Sequence, residues 1–324
     1  MSLKDKIMAK LENSSDYVSG QELAGEFGVS RAAVWKAVRQ LKEDGCRIDS
    51  VSNRGYRLLS PADSIDDKAI RKALNESAQR LELCVLESVD STNNEAKRML
   101  ANGFDGDALI VANEQTGGRG RLGRSFYSPK NTGIYMSFLL HADLKLSDAV
   151  SVTTAASVAV VKAIESVTGI APEIKWVNDV YVGGRKVCGI LTEAVSDFET
   201  GMARSVIIGI GINITTEDFP EEIKDKASSL GAQAPIRNDL IASVANELTA
   251  ICTDLSDRLF IKCYREHSMI IGREIDFYIN NVKHTGTAAD IDDNGGLIVT
   301  LPDGSKTTLS SGEVTVRLAK ASEE

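Results

Sequence analysis

Between residues 81 and 210, short apolar runs typical of β-strands alternate with stretches of helical periodicity, which predicts a mixed α/β domain. The predicted strands are Leu81–Leu86, Ala108–Ala112, Ile134–Leu140, Val187–Ala194 and Ser205–Ile210, and the predicted helices lie near Asn93–Leu100 and Ser147–Val167. A short, turn-rich link, Ser196–Gly201, joins the last two strands, so we expect them to form a hairpin.

Different patterns flank this region on both sides. The stretch Ser60–Ser64 is polar and contains the first proline, which predicts a linker at residues 61–65. From Arg273 onward, five short strands with tight turns between them predict a small β-barrel. The predicted turns are Asn280-Asn281, Asp292–Gly296, Pro302–Gly304 and Ser310–Gly312. We therefore predict an α+β chain of three domains, at residues 1–60, 66–270 and 271–324.

Composition excludes several classes of protein. Apolar residues make up 43% and charged residues 26% of the 324 positions, which excludes a disordered or collagen-like chain. We find no apolar stretch of the roughly 20 residues that a membrane span needs, and no secretory signal. Five scattered cysteines and three isolated histidines predict neither a disulfide framework nor a metal site. We expect a soluble, cytoplasmic protein with no membrane partner and with reduced cysteines that are mostly buried.

Charge is distributed unevenly along the chain. Residues 1–60 hold ten Lys and Arg against eight Asp and Glu, a net charge of +2, so the chain total of −9 leaves −11 for the remainder. A protein with this balance does not coat nucleic acid along its whole length. If any part of the chain binds nucleic acid, we expect the N-terminal segment to do so.

This N-terminal segment has the pattern of a helix-turn-helix. A short helix at Gln21–Glu26 precedes a turn at Gly28, and Ser30 is placed to cap a second helix that runs from Arg31 to about Asp44. Glycine suits the positive φ that such a turn needs. On the second helix, the predicted buried stripe is Val34, Val38 and Leu41, and the opposite, cationic face holds Ala32, Lys36 and Arg39.

Two strands at Cys46–Ser50 and Tyr56–Leu59, with Ser52–Gly55 at their tip, predict the wing of a winged helix. The predicted DNA-contacting residues are Arg31, Ala32, Trp35, Lys36, Arg39 and Arg54. Two alternatives remain: Trp35 packs against the core instead of contacting a base, or the whole module serves protein contacts only.

The segment Gly117–Arg124 holds four glycines and three arginines in eight residues. Glycines let the backbone approach a ligand closely, and guanidinium groups offer fixed forks of donors that suit phosphate oxygens. We therefore predict an anion-binding loop that orders around its ligand. The alternative is a flexible nucleic-acid-binding segment rich in Arg and Gly, although such segments usually occur in long repeats.

Two further clusters point to the same kind of ligand. The turn Asp90–Glu95 supplies hydroxyl groups and a helix N-terminus, although Ser91 or Thr92 is equally explained as a simple cap. The segment Lys175–Asp179, a hairpin at Tyr181–Arg185 and the run Lys186–Leu191 place two lysines and a carboxylate around a turn. Since Gly209–Asn213 lacks a third glycine and a following helix signal, a dinucleotide fingerprint is excluded.

Together with the predicted winged helix, these motifs resemble the family of bifunctional biotin–protein ligases that also repress the biotin operon. The resemblance spans almost the whole chain, and its most specific motif is Gly118–Arg124. The chain departs from the family pattern at Val177, where proline is usual, and at Phe126, where tryptophan is common.

The resemblance implies an enzyme with a winged helix, a central mixed α/β ligase domain and a C-terminal SH3-like barrel. Its implied activity is formation of biotinyl-5′-AMP from biotin and ATP with Mg²⁺, followed by biotin transfer to a lysine. The implied acceptor is the biotin carboxyl carrier protein of acetyl-CoA carboxylase or a related carboxylase. Biotinyl-5′-AMP is also the implied corepressor, which promotes a homodimer on operator DNA.

The resemblance also implies a role for particular residues. The implied catalytic residues are Lys186, Arg121 and Asp179. The implied biotin site holds Ser91, Thr92, Asn93, Gln115, Gly118, Arg119, Gly120, Arg121, Lys186 and Gly189. The implied ATP site holds Arg121, Arg124, Phe126, Lys175, Asn178 and Asn213, of which Asn178 assists Mg²⁺ or the phosphates.

Two other functions compete with this interpretation. A lipoate ligase shares the broad fold but lacks the paired Gly-Arg repeat. A purely transcriptional sensor binds a small anion without chemistry, and has no need of Lys186, Asn178 and three loop arginines. Arg317 lies near the end of the chain and reaches the nucleotide only if the C-terminal domain folds back.

Overall fold

The computed structural model describes residues 2–144, 149–196, 203–232, 235–279 and 282–317. The chain divides into two compact units, one formed by Met1–Ile65 with Ala232–Asn238 and the other by Asp66–Gly231 with Asp239–Glu324. The second unit contains both the central region and the C-terminal strands, so a domain boundary near residue 270 stays a prediction. Residues 61–65 have no regular secondary structure, and the Asp63 carboxylate accepts the backbone N–H of Ile236 at 3.0 Å within the first unit.

The first unit contains three helices and a hairpin. Its elements are α1 Leu3–Glu12, α2 Gly20–Phe27, α3 Arg31–Glu43, β1 Arg47–Val51 and β2 Gly55–Ser60, and the two strands pair antiparallel. Helix α1 was not predicted from the sequence. Its signal was a capping box, in which Ser2 and Asp5 satisfy each other's backbone N–H groups ahead of the buried Ile7 and Leu11.

The predicted helix-turn-helix is confirmed. Gly28 ends α2 in the left-handed conformation with φ of 64°, and the Ser30 side chain accepts the backbone N–H of Ala33 as the cap of α3. The predicted stripe of Val34, Val38 and Leu41 is buried. These side chains pack on α1 residues in one apolar core, so the opposite face of α3 lies in solvent.

The second unit is built on a seven-stranded sheet. Its elements before the C-terminal strands are α4 Asp67–Ala73, β3 Glu82–Leu86, α5 Thr92–Ala101, β4 Ala108–Ala112, β5 Gly133–Leu144, α6 Ala149–Thr168, β6 Glu173–Lys175, β7 Asp179–Val182, β8 Arg185–Ser196, β9 Ala203–Asn213, α7 Arg237–Thr253 and α8 Leu259–Glu266. The strand order is β3-β4-β5-β9-β8-β7-β6, and only β3 and β4 pair in parallel among the described strands. The mixed α/β prediction and the β8–β9 hairpin are confirmed; most of the predicted link 196–201 lies outside the described residues.

Helix α6 is more apolar than the sequence-based expectation allowed. By length and composition, Val150–Thr168 of α6 is apolar enough to cross a membrane, but 67% of that window is buried inside the protein. We therefore interpret α6 as a core helix. Its apolar stretch, long enough to cross a membrane, was not expected from the sequence.

Helices α4, α7 and α8 were not predicted from the sequence. In α7, apolar residues that include Leu240, Val244 and Leu248 are fully buried, which gives a broad apolar surface instead of a clear stripe.

The C-terminal part contains the five predicted strands. They are β10 Glu274–Ile279, β11 Val282–Ile291, β12 Leu297–Thr300, β13 Lys306–Leu309 and β14 Val314–Val316, and they form an antiparallel sheet in the order β13-β12-β11-β10-β14. No ladder joins β13 to β14 within the described ranges, so closure into a barrel stays a prediction. The predicted turn at 280–281 lies outside the described residues. Trp176 Nε1 donates to Gly295 O at 2.9 Å, which holds this sheet against the central one.

All five cysteines are free, as expected. The expectation that most of them are core residues is met in part: Cys46 and Cys188 are buried and Cys84 packs against a core cluster, whereas Cys252 and Cys263 are partly exposed. Burial raises the pKa of the Cys188 thiol well above its usual range, which keeps it in the protonated form. No group of three potential metal ligands occurs in the part of the chain that the structure describes.

Candidate functional site

A cavity of about 610 Å³ in the second unit brings together residues from α5, the glycine–arginine loop, β6 to β9 and the C-terminal sheet. Of the residues predicted to bind biotin or ATP, those that line it are Ser91, Thr92, Asn93, Gln115, Arg119, Gly120, Arg121, Arg124, Phe126, Lys175, Asn178, Lys186, Gly189 and Asn213, and the predicted catalytic residue Asp179 lines it as well. Gly118 is the exception, since it lines a second cleft of about 720 Å³. A Cβ on Gly118 would lie 2.7 Å from Ser128 Oγ, so its role in the structure is close backbone packing.

One end of the cavity presents hydroxyl and amide groups. Ser91 holds the N-cap position of α5, but its side chain makes no capping hydrogen bond, so the simple capping interpretation is wrong for this residue. The backbone N–H of Thr92 donates to Gln115 Oε1 at 2.8 Å, and Gln115 Nε2 donates to Ser128 Oγ at 3.0 Å. The amide of Gln115 is therefore held in one orientation beside two hydroxyl groups.

A polar network that the sequence analysis missed lies behind this end. Asn93 Nδ2 donates to Glu193 Oε2 at 2.8 Å, and Lys97 Nζ donates to Glu193 Oε1 at 2.7 Å. Ser137 Oγ donates to Asn93 Oδ1 at 2.6 Å and lies 2.7 Å from Thr92 Oγ1. These groups come from α5, β5 and β8, and no local sequence signal connects them.

Asp90 fixes the start of α5 from the other side. Its carboxylate accepts hydrogen bonds from Arg98 at 2.7 Å and from Asn94 at 2.6 Å. These hydrogen bonds hold the pKa of the Asp90 carboxyl well below its usual range. The residue is therefore ionised at neutral pH and locks the turn that presents Ser91 and Thr92 to the cavity.

The glycine–arginine loop lies over the cavity. Arg121–Gly123 forms one turn of 3₁₀-helix, and Gly120 N donates to Arg124 O at 2.7 Å. Arg121 extends away from this turn: its Nη1 donates to Asn178 Oδ1 at 2.8 Å and its Nη2 to Gly312 O at 2.9 Å. One guanidinium group thus ties the loop to both the central and the C-terminal sheet.

Two arginines have partners that sequence reasoning did not find. Arg124 donates to both oxygens of the Glu313 carboxylate, at 2.6 and 2.9 Å, so in this conformation it is paired with the C-terminal sheet. Arg317 pairs with Asp276 at 2.8 Å and with Glu274 at 3.1 Å, and it does not line the cavity. The suggestion that Arg317 reaches a nucleotide is therefore not supported by its position.

The opposite end of the cavity carries charge. Lys186 Nζ lies 2.6 Å from Asp179 Oδ1, and Asn178 Nδ2 donates to Ile190 O at 2.8 Å. Lys175 Nζ lies 5.8 Å from the centroid of the Tyr181 ring. Burial raises the pKa of Tyr181 to about 12, so its hydroxyl stays neutral beside these ions.

Phe126 forms an aromatic wall between these two ends. A Cβ built on Gly211 would collide with its ring, and one built on Gly189 would lie 3.3 Å from it. The ring therefore packs so closely on the β9 backbone that Gly211 leaves no room for a side chain, while Gly189 on β8 leaves only a tight fit. Near it, Asn213 Nδ2 donates to Ser228 O at 3.0 Å, while Asn213 Oδ1 is buried with no hydrogen-bond partner among the described residues.

In the first unit, the residues predicted to contact DNA lie on the exposed face of α3 and at the hairpin tip. Trp35 is 56% exposed, so the alternative in which it packs against the core is wrong. The Arg39 guanidinium lies 5.7 Å from the centroid of the Trp35 ring and pairs with Glu43. Arg54 lies 4.4 Å from the centroid of the Tyr17 ring, which holds it beside the tip. Arg31, Ala32 and Lys36 are exposed.

Comparison with known proteins gives three matched regions. Residues 85–213 match the biotin/lipoate A/B protein ligase family, residues 4–57 match a helix-turn-helix domain, and residues 270–317 match the biotin protein ligase C-terminal domain. The first region contains the glycine–arginine loop, the second contains α3, and the third contains Glu313.

Two curated proteins and one solved structure show the extent of the similarity. The bifunctional ligase/repressor BirA of Bacillus spizizenii is 33% identical over 95% of this chain and 97% of its own length. The biotin–[acetyl-CoA-carboxylase] ligase of Mycobacterium tuberculosis is 30% identical over 77% of this chain and 95% of its own. The biotin protein ligase of Aquifex aeolicus, solved in complex with biotin and ATP, is 29% identical with a TM-score of 0.61, over 74% of this chain and 99% of that one.

Proposed function

Because the chain belongs to the family of the bifunctional ligase/repressor BirA, we propose that it is an ATP-dependent biotin–protein ligase that also acts as a DNA-binding repressor. The observation that carries the proposal is the composition of the 610 Å³ cavity. It joins a hydroxyl and amide end at Thr92 and Gln115 to a cationic end at Arg121 and Lys186. A ligand with a polar neutral ring and an activated carboxylate fits such a site.

The first reaction is an adenylation. A carboxylate oxygen of biotin attacks the α-phosphorus of ATP, the bond to the β-phosphate oxygen breaks, and pyrophosphate leaves with the electron pair. Negative charge grows on the phosphorus oxygens, so positioned cations lower the barrier. Lys186 is proposed to contact both the carboxylate and the α-phosphate, and Arg121 to stabilise the same charge.

Binding roles follow from the two ends of the cavity. The proposed biotin contacts are Ser91, Thr92, Asn93, Gln115, Arg119, Gly120, Arg121, Lys186 and Gly189, with the ureido ring at the hydroxyl end, while Gly118 is proposed to shape the loop beside them. The proposed ATP contacts are Arg121, Arg124, Phe126, Lys175, Asn178 and Asn213. Arg124 must leave Glu313 to reach a phosphate, which supports a role that begins only when the nucleotide arrives.

The cavity fits a Mg²⁺ ion that is carried by the nucleotide. Magnesium bound with a nucleotide typically takes one or two protein oxygens and fills its other positions with phosphate oxygens and water. Asn178 Oδ1 lines the cavity and is the proposed protein ligand, and it would become available when Arg121, which now donates to it at 2.8 Å, turns to a phosphate. When bound, the ion would neutralise phosphate charge and help pyrophosphate to leave.

The second reaction transfers biotin to its carrier. The amine of the acceptor lysine attacks the carbonyl carbon of the mixed anhydride, AMP leaves, and an amide bond forms. Asp179 is proposed to orient the incoming amine. The loop that Arg121 ties down is proposed to exclude water, because the anhydride hydrolyses readily. We propose the biotin carboxyl carrier protein of acetyl-CoA carboxylase, or of a related carboxylase, as acceptor.

One assay tests the ligase. The purified protein is incubated with ATP, Mg²⁺, biotin and a biotin carrier domain, and carrier mass is followed by mass spectrometry. We expect a mass increase that requires both biotin and ATP. A parallel reaction with lipoate in place of biotin distinguishes a biotin ligase from a lipoate ligase, which belong to the same matched family. The proposal is contradicted if the mass of the carrier domain does not change in the reaction with biotin, or if lipoate is used equally well.

The repressor function rests on the helix-turn-helix domain. The proposed DNA contacts are Arg31, Ala32, Trp35, Lys36, Arg39 and Arg54, which combine cationic and small side chains suited to a major groove. Biotinyl-5′-AMP is proposed to promote a homodimer that places two such domains on an operator. Since ligand and DNA both favour the dimer, each should tighten binding of the other. Operator affinity that ignores biotinyl-5′-AMP in a titration contradicts this coupling.

Two finer features complete the proposal. The five C-terminal strands are proposed to close as an SH3-like barrel, for which the match of residues 270–317 to the ligase C-terminal domain is the support. The protein is proposed to act in the cytoplasm, where its carrier and its operator both occur.

A further inference from the structure

The carboxylate of Glu193, which the proposed reaction does not use, ends a chain of polar groups that reaches the cavity. The chain runs from Glu193 through Asn93 and Ser137 to Thr92, with donor–acceptor distances of 2.8, 2.6 and 2.7 Å. Ser137 is fully buried, and Asn93 and Thr92 are each 3% exposed. Bulk water therefore does not offer these groups alternative partners.

Glu193 sets the direction of this chain. Burial acts to raise its pKa, but the hydrogen bonds from Lys97 and Asn93 outweigh burial and hold the pKa below its usual range. An ionised carboxylate only accepts hydrogen bonds, so the Asn93 amide nitrogen must face it and the amide oxygen must face Ser137. A Cβ on Gly209 would collide with Asn93 Oδ1, so the close packing leaves Asn93 little freedom beyond rotation of its amide.

The direction is passed on through two hydroxyl hydrogens. The Ser137 hydrogen is committed to Asn93 Oδ1, so the 2.7 Å contact between Ser137 and Thr92 needs the hydrogen of Thr92. Thr92 Oγ1 also lies 3.1 Å from Gln115 Oε1, which could accept a second hydrogen bond, but Thr92 has only one hydroxyl hydrogen and its 2.7 Å contact with Ser137 is the shorter of the two. The 3.1 Å contact between Thr92 Oγ1 and Gln115 Oε1 is thus the one left without a hydrogen. The lone pairs of Thr92 Oγ1 remain available to the cavity.

We propose that Glu193 is a positioning residue that makes the Thr92 hydroxyl an acceptor and thereby selects a ligand with an N–H donor at this end of the cavity. The inference rests on the proposed function, in which a ureido N–H group of biotin is that donor. A dithiolane ring such as that of lipoate carries no N–H and gains nothing from the acceptor.

The test is Glu193→Gln, which keeps the size of the side chain and adds an N–H donor. Lys97 claims the new amide oxygen, so the new nitrogen donates to Asn93 and its amide rotates. The chain then runs in reverse: Thr92 accepts from Ser137 and turns its hydrogen toward Gln115, so one of the two lone pairs that were open to the ligand is lost. We expect the Kd for biotin, measured by calorimetry, to rise about 10- to 100-fold. The KM for ATP and the melting temperature should stay close to those of the wild type.

Two further variants separate direction from mere structural damage. Lys97→Met removes one of the hydrogen bonds that lower the Glu193 pKa, so this variant is tested at about pH 8, well above the ordinary range of a carboxyl group. There Glu193 stays an acceptor, and the affinity for biotin should match that of the wild type. Added to Glu193→Gln, Lys97→Met frees the amide oxygen for Asn93 and should restore most of the lost affinity. Glu247→Gln is the matched control, since Glu247 also pairs with a lysine, at 3.2 Å, whereas Glu193 in addition accepts from the cavity residue Asn93.

A readout without biotin decides the inference independently of the proposed function. Nuclear Overhauser contacts of the Asn93 side-chain amide hydrogens should point to Lys97 in the ligand-free wild type and to Ser137 in Glu193→Gln. An unchanged orientation overturns the inference, and so does a double variant that binds biotin as weakly as Glu193→Gln. Failure of the wild type to bind biotin instead counts against the proposed function.

Discussion

The amino group of Lys186 lies 2.6 Å from Asp179 Oδ1, although the two residues are not register partners in the β7–β8 ladder. Asp179 pairs with Gly189, and a register shift after Val180 sets Tyr181 opposite Lys186. The lysine side chain then extends along the strands toward the carboxylate, where both groups line the cavity. The Lys186 amino group is therefore already paired with the Asp179 carboxylate, beside the place where phosphate is proposed to bind.

Lys186→Ala tests the role of this cation. Removing a positioned donor from a site of developing charge typically lowers the rate by about 10²- to 10³-fold. We expect biotin-dependent exchange of pyrophosphate into ATP to fall at least this far, with an unchanged circular dichroism spectrum. Lys262→Ala, which removes a lysine paired with Glu266 outside the cavity, is the control. Near-normal exchange in Lys186→Ala would refute the assignment.

Gly211→Ala tests whether the Phe126 ring forms part of the nucleotide site. The added methyl group collides with the ring and must displace it, at a cost of about 1–3 kcal/mol of stability. We expect the KM for ATP to rise more than the KM for biotin, measured by steady-state kinetics. The double variant with Phe126→Ala removes the collision and should recover stability, seen as a higher melting temperature, without recovering ATP affinity. Equal increases in both KM values would contradict the assignment.

Lys36→Ala tests the DNA-contacting face of α3. Lys36 is exposed, whereas Arg39 on the same face already pairs with Glu43. If Lys36 neutralises one phosphate, its loss reduces the slope of log K against log salt by about 0.9. Fluorescence anisotropy with operator DNA at several salt concentrations measures that slope. Lys42→Ala is the comparison, because Lys42 donates to Ser50 at 2.8 Å within its own domain. The hypothesis fails if both variants keep the wild-type slope.

Acid titration tests the turn that presents Ser91 and Thr92. The pKa of Asp90 is lowered in the folded protein from an ordinary value of 3.8, chiefly by hydrogen bonds from Arg98 and Asn94. A lowered pKa contributes stability that is fully present above the unfolded pKa and is lost as pH falls toward the folded value. The wild type should therefore exceed Asp90→Asn in stability at pH 6, and the gap should narrow below about pH 4.

Denaturant unfolding of both proteins at pH 6 and pH 3 measures this gap, and titrating groups common to the two proteins cancel in the comparison. A gap that stays constant with pH would mean that the Asp90 charge does not contribute to the stability of the turn. Arg98→Gln should reduce the same pH dependence, because it removes the main hydrogen-bond donor to the carboxylate.

Local sequence determined the elements whose causes are local. Ser30 and Gly28 define the start of α3 and the turn before it through a cap and a positive φ, and both lie where the pattern predicted them. The run Ala108–Ala112 is wholly buried and became β4 with the predicted bounds. The motif residues of the cavity were also predicted from the sequence, because glycine, arginine and lysine at those spacings indicate an anion-binding site before any tertiary contact is known.

Tertiary structure alone decided which partners meet. Glu313 lies 189 residues from the Arg124 that it binds, and Glu193 lies 100 residues from Asn93. Neither carboxylate stands in a motif, since a charged residue in a strand or a turn looks like any solvated one. Such pairs form only when the sheet order and the C-terminal sheet bring distant strands together. The sequence therefore determines the inventory of the site, while packing between distant segments determines which groups are paired and in which direction their hydrogen bonds run.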